Sequence, residues 1–490
     1  MATTFMTLGG PGLQEWDNWK QNLKNGAIKH LIVVFHNPGR NMDLELRTLS
    51  HCLNTNRSIE SLTMCNAHFR RNTGFFLTMN DFWQNNPNIR TFNLTNCFVE
   101  DRNEWSLLAT ALAQCTTLEE IYVEDIDLSD VFVALAPSFT CGLTCLRLRN
   151  CNINNDHISI LIQRLETERA APRVLDLSYN TDIGMGGCLL LSRLNLDRLL
   201  MDHCSRIMNS GVAGLLHSNR LHVTHLELSN AGIVLHKACE LIARYIARND
   251  CPLVVLDLEN NNITDKGMDW LAHGLKTNTS LDALLLSGNS LITNVGWGRI
   301  LHSLCDASSI EAIQRSNHTL TRLTRPKIEF YGTCFGKQLE EMLAINSKAK
   351  ALEQAVRDML GIIDVPTNHT ASKIASDLKI IQMHLLETMY GNQYASDYYD
   401  HIIIYLMGWI GRYYGGRIPV SNDAYGKSAF YNLIQQNPHL IKLHQKMSNS
   451  IVTEEKEMTN EMFTESKGTK RKYSDAYNKG ILMSITVPGY

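Results

Sequence analysis

Nine segments of this chain open on one pattern, L-x-x-L-x-L-x-x-N/C, with other apolar residues standing in for some of the leucines. They begin at Ile59, Ile89, Leu118, Leu143, Pro172, Leu196, Val223, Leu253 and Leu281, spaced 30, 29, 25, 29, 24, 27, 30 and 28 residues apart. A weaker copy precedes them at Ile28 and a degraded one comes after them at Leu320. A repeat of this period constrains the fold more than any other feature, because each unit buries its apolar face only against its neighbours. The alternation L-x-L is the period of a strand. After the strand, the segment "ITDKGMDWLAHGL" places Ile263, Met268, Leu271 and Leu275 on one helical stripe. Each unit therefore reads strand, turn, helix. The ninth position is filled by Asn180, Asn261 and Asn289 or by Cys97, Cys151 and Cys204, side chains able to bond the backbone where it leaves the strand.

This grammar resembles the ribonuclease-inhibitor type of leucine-rich repeat over residues 28–323, with "LVVLDLENNNITDKGMDWLAHGLKTNTS" as its clearest unit. The resemblance implies an α/β solenoid with parallel strands inside and helices outside. The order of "LCDASSIEAIQRSNHTLTRL", "MLAINSKA", "YLMGWIGR" and "SAFYNLIQQNPHL" is similar to that of a group of uncharacterised leucine-rich repeat proteins of unicellular algae, which implies the same solenoid and helical tail but no activity.

The domain order expected is a flank or cap over 1–27, a solenoid over 28–335, an α-helical cap or domain over 336–448 and a polar, disordered tail over 449–490. The basic run "SKGTKRKYSD" in that tail reads as a solvated linker, with a nuclear signal as the other reading. The chain carries 46 basic and 49 acidic residues for a net charge of −3, without the basic excess of nucleic-acid binders. Its first residues lack a secretory pattern, and "HIIIYLMGWIG" is too short to span a bilayer, so no membrane partner and a cytoplasmic location are expected. Thirteen cysteines, an odd number and several at the repeat's own ninth position, point to reduced thiols. No zinc spacing accompanies Cys141, Cys145 and Cys151. "GKS" at 426–428 has Ser421 where a phosphate loop needs glycine, and "GMGGC" at 184–188 reads as a tight turn into a helix. No cofactor, metal or catalytic residue is assigned, and the protein is not expected to be an enzyme.

Function is sought on the surface instead. With the fourth and sixth residues of each unit turned into the core, the third, fifth and seventh line the concave side. Those columns hold Glu120, Tyr122 and Glu124; Cys145, Arg147 and Arg149; Val174, Asp176 and Ser178; Arg198, Leu200 and Asp202; His225, Glu227 and Ser229; and Val255, Asp257 and Glu259. Seven carboxylates against three arginines suggest a concave face that docks a protein partner bearing a basic patch. Arg147 and Arg149 would form one charged band, with Asp202, Glu227, Asp257 and Glu259 as another. A regulator of a small GTPase, resembling the Ran GTPase-activating proteins, is the alternative; the acidic tail that such a regulator would carry is missing after the repeats. The sequence leaves oligomeric state open.

Overall fold

In the computed structural model the described residues are 3–8 and most of 21–350. The chain divides into two units, Met1–Glu387 and Thr388–Tyr490. The expected helices between 351 and 448, the apolar stretch at 401–411, "GKS" and the basic tail lie outside the described residues.

Twelve strands form one sheet, in the order β1 (Thr3–Leu8), β2 (His30–Phe35), β3 (Ser61–Cys65), β5 (Thr91–Thr95), β7 (Glu120–Glu124), β8 (Cys145–Arg149), β9 (Val174–Asp176), β10 (Arg198–Leu200), β11 (His225–Glu227), β12 (Val255–Asp257), β13 (Ala283–Leu285) and β14 (Arg322–Thr324). Two short strands, β4 (His68–Phe69) and β6 (Phe98–Val99), pair apart from it. Every neighbouring pair is parallel, and the third residue of each unit meets the third residue of the next: Ser61 with Thr91, Glu120 with Cys145, His225 with Val255, Ala283 with Arg322. β1 adds a strand upstream of the first repeat, pairing Thr3 with His30.

The pairing is dictated by the sequence because a one-residue slip would turn every leucine to solvent. Leu62, Met64, Leu94, Leu146, Leu148, Leu175, Leu177, Leu199, Leu256, Leu258, Leu284 and Leu286 are all buried, in one core that runs from Leu23 to Leu343. Helices such as Arg102–Gln114, Asn155–Glu168, His236–Ile246, Asp265–Thr277 and Asn294–Leu304 supply the other half of that core. Strands stack about 4.8 Å apart and helices about 8–10 Å apart, so the stack curves with its sheet inside.

The ninth-position side chains tie unit to unit. Cys97, Cys151 and Cys204 each donate from Sγ to the sixth-residue carbonyl of the preceding unit, on Met64, Val123 and Leu177. Asn180, Asn261 and Asn289 do the same through Nδ2, to Leu148, Leu228 and Leu258. The asparagines do more: Asn180 Oδ1 also accepts from the N–H groups of Cys151 and Ile153 at 2.9 and 3.0 Å. Burial pushes the thiols of Cys97, Cys151 and Cys204 up to about 12, which keeps the S–H that donates. None of the eleven described cysteines is in a disulfide.

The eighth position turns through the left-handed region in unit after unit, at Asn66, Asn96, Asp125, Asn150, Tyr179, His203, Asn230, Asn260 and Gly288. Asn, Asp and Gly tolerate that conformation. At Gly288 a Cβ would sit 2.0 Å from Asn260 Oδ1, so only glycine fits.

The helix starts are capped from the unit before. Asn155 Oδ1 accepts from the N–H groups of Gly184 and Gly187, and Asp265 Oδ1 from those of Thr293 and Gly296. This corrects the reading of "GMGGC" as a tight turn: Gly184 is extended, and the constrained glycine is Gly187, where a Cβ would meet Asn155 Oδ1 at 2.8 Å.

Candidate functional site

The sequence-derived columns share one face of the sheet, where third, fifth and seventh residues alternate with the buried fourth and sixth. Along β7 to β10 this face is an interlocked set of charges and rings. Glu120 Oε2 accepts from Thr91 Oγ1 at 2.9 Å and from the Tyr122 hydroxyl at 2.8 Å. Burial, and then that bond to a carboxylate, push the Tyr122 phenol up. The Arg147 guanidinium lies 4.8 Å from the centre of the Tyr122 ring, a cation–π contact.

Arg149 is enclosed on three sides. Its Nε is 3.3 Å from Glu124 Oε1, an ion pair not aligned as a hydrogen bond, and its Nη1 is 3.6 Å from Asp176 Oδ2. Its guanidinium also stands 5.3 Å from the centre of the Tyr179 ring, which stacks on His203 at 4.3 Å and 9°. Tyr179 and His203 occupy the left-handed eighth position that other units give to Asn, Asp or Gly. Elsewhere that column forms side-chain bonds, such as Asn96 Nδ2 to Asn66 Oδ1 and Asn150 Nδ2 to Asp125 Oδ1. Strand alternation selects only third, fifth and seventh residues, so sequence reasoning missed this aromatic pair. The signal was present as two bulky residues in a column of turn formers.

One expectation is corrected. Asp176, expected to face the concave opening, is fully buried: Oδ1 accepts from the Ser178 N–H at 3.0 Å, and Arg149 lies beside Oδ2. The expected basic and acidic bands are each partly paired, since Arg149 is paired with Glu124 and Asp176 while Arg198 Nη2 reaches Glu227 Oε1 at 3.2 Å.

The carboxylates further along the face are different. Asp202 Oδ1 accepts from the Ser229 N–H at 3.0 Å, Asp257 Oδ1 from the Glu259 N–H at 2.8 Å, and Glu259 Oε1 from Thr324 Oγ1 at 2.7 Å. None of the three has a basic side chain within ion-pair distance among the described residues, and the register sets Glu227 directly opposite Asp257. Burial, then Glu227 and Asp176, push Asp202 up to about 6; burial, then Glu259, Asp202 and Glu227, push Asp257 up to about 7. His225, whose Nδ1 meets Thr224 Oγ1, is held below its ordinary value by burial and by Arg198. Among the described residues no group of His, Cys, Asp and Glu could hold a metal ion, and no helix is long and apolar enough to cross a membrane.

No family model matches the chain. Tonsoku-like protein of Danio rerio is 33% identical over 116 residues, covering 23% of this chain and 8% of that protein. The NACHT, LRR and PYD domains-containing protein 5 of Mus musculus is 30% identical over 177 residues, covering 34% of this chain and 14% of that protein. The chain thus spans a small fraction of either relative. Among solved structures, the crystal structure of the yeast Rad7 and Elc1 complex aligns with a TM-score of 0.37 at 16% identity, over 64% of this chain and 77% of that one. The TLR13–ssRNA13 complex aligns with a TM-score of 0.33 at 17% identity, over 61% and 39%. The in-phase repeats, the parallel register and the helices on the opposite face make the described chain an α/β leucine-rich-repeat solenoid.

Proposed function

We propose that this solenoid is a non-catalytic interaction scaffold whose concave face, from β10 to β12, docks a protein bearing a basic patch. The observation that carries the reading is the set of three carboxylates, Asp202, Asp257 and Glu259, held half-buried with hydrogen bonds but no cation among the described residues, beside Glu227. Like charges at this spacing cost a fold a few tenths of a kcal/mol when solvated and more when partly buried. The fold gains nothing in return, whereas a basic partner would be attracted and steered. Strand–helix units of 24 to 30 residues support the ribonuclease-inhibitor type of repeat. The described cysteines, none of them in a disulfide, support a reducing compartment inside the cell.

The test is affinity capture from cell extract with the natural chain and with the double variant Asp257→Lys, Glu259→Lys. The reading expects captured proteins with basic binding segments that the variant loses. Capture of the same proteins by both chains would place the interaction elsewhere.

A further inference from the structure

On the N-terminal side of the free carboxylates, between β8 and β10, the concave face has the opposite need. Arg147 Nε, Arg149 Nε and Arg198 Nε are buried and make no hydrogen bond, with Glu124 Oε1 3.3 Å from Arg149 Nε. Each guanidinium carries five N–H donors, and with the side chains of Arg149 and Arg198 33% and 43% exposed and Arg147 half-buried, donors other than Nε remain for oxygen atoms from outside the chain. The arginines are held in place: Arg147 over the Tyr122 ring, Arg149 between Glu124 and Tyr179, Arg198 against Glu227. Side chains fixed in this way lose little freedom when a ligand arrives. Between the two zones stands Leu200, an apolar, half-buried residue in the fifth-position column.

The face thus offers N–H donors from β8 to β10, an apolar contact at β10, and the carboxylates Asp202, Asp257 and Glu259, which have no cation among the described residues. From β8 to β12 is four strand spacings, about 19 Å, which an extended chain rising about 3.3 Å per residue covers in about six residues.

We infer that the occupant is an extended segment of the partner whose acidic side chains meet Arg147, Arg149 and Arg198, whose basic side chains about six residues away meet Asp202, Asp257 and Glu259, and whose middle carries an apolar residue against Leu200. This rests on the basic-partner reading above and adds to it an acidic end and an order. It also explains why arginines line a face that attracts a basic protein: they exclude segments that are basic throughout.

The test titrates fluorescently labelled synthetic peptides against the full chain. One carries an acidic block, an apolar centre and a basic block. A second has glutamine in place of the acids, a third interleaves the same acidic and basic residues, and a single-stranded thymidine oligonucleotide is the fourth probe. The block peptide should bind at least tenfold more tightly than the glutamine and interleaved peptides, and Arg147→Gln should erase that difference. Asp257→Asn should weaken both peptides that keep a basic block, and circular dichroism melting would show that each variant is folded. If the glutamine peptide binds as well as the block peptide, the inference falls and the basic-partner reading stands. Equal binding of the interleaved peptide would remove the order. If no peptide with basic residues binds, both fall, and if the oligonucleotide binds best and Arg147→Gln abolishes it, the arginines serve nucleic acid instead.

Discussion

Asp257 shows how a single side chain can be ill-suited to the fold that holds it. Its carboxyl is raised to about 7 by burial and by Glu259, Asp202 and Glu227, whereas in the unfolded chain it returns to the ordinary value of 3.8. Between those values the folded state holds more protons than the unfolded one, so stability falls as pH rises from about 4 to about 7, and the full cost is present above that. Asp202, raised to about 6, acts in the same direction over a narrower window. Asp257→Asn keeps an oxygen for the Glu259 N–H and removes the charge. It should stabilise the protein at pH 8 by on the order of 1 kcal/mol after solvent screening, and hardly at all at pH 4. Thermal melts at the two pH values check this. A basic partner would act on the same groups, releasing protons as it binds near neutral pH.

The repeat unit was the most legible part of the chain. The spacing of Leu256 and Leu258, or of Leu175 and Leu177, names the strand, the buried face and the register together, because all three come from one period. Leu256→Asp buries an unpaired charge at a position 1% exposed and should cost several kcal/mol, abolishing a cooperative melt. The ninth position was legible as a backbone partner, but its two versions differ in strength. Asn180 serves carbonyls and N–H groups at once, so Asn180→Ala should cost on the order of 2–4 kcal/mol, whereas Cys204→Ala, removing one thiol donor, should cost about 1 kcal/mol or less. Denaturant melts of the two variants check the order. What the pattern could not supply was pairing between columns: that Arg149 would cover Asp176, or that Tyr179 would stack on His203. Such contacts depend on side-chain reach across strands, which a period of two does not specify.

Across the described molecule one core runs without a break, and it does not stop at β14. Residues 342–347 are helical; Met342 and Leu343 are buried with Leu339, Asn346 Nδ2 donates to the Leu320 carbonyl at 2.7 Å, and Lys350 Nζ reaches Asp282 Oδ1 at 2.6 Å. A unit with no next repeat on its outer side needs such cover. Leu343→Ala should therefore cost about 2–4 kcal/mol and raise aggregation, as read by melting and light scattering. On the concave side the solenoid leaves Asp202, Asp257 and Glu259 without a cation among the described residues. The rate at which a captured partner associates with the natural chain and with the Asp257→Lys, Glu259→Lys variant, measured from low to high salt, shows whether that charge guides binding. A fall in rate of about tenfold or more at low salt, with a flattened salt dependence and an unchanged or slightly raised melting temperature, is the expected result; identical rates and salt slopes for the two chains would contradict it.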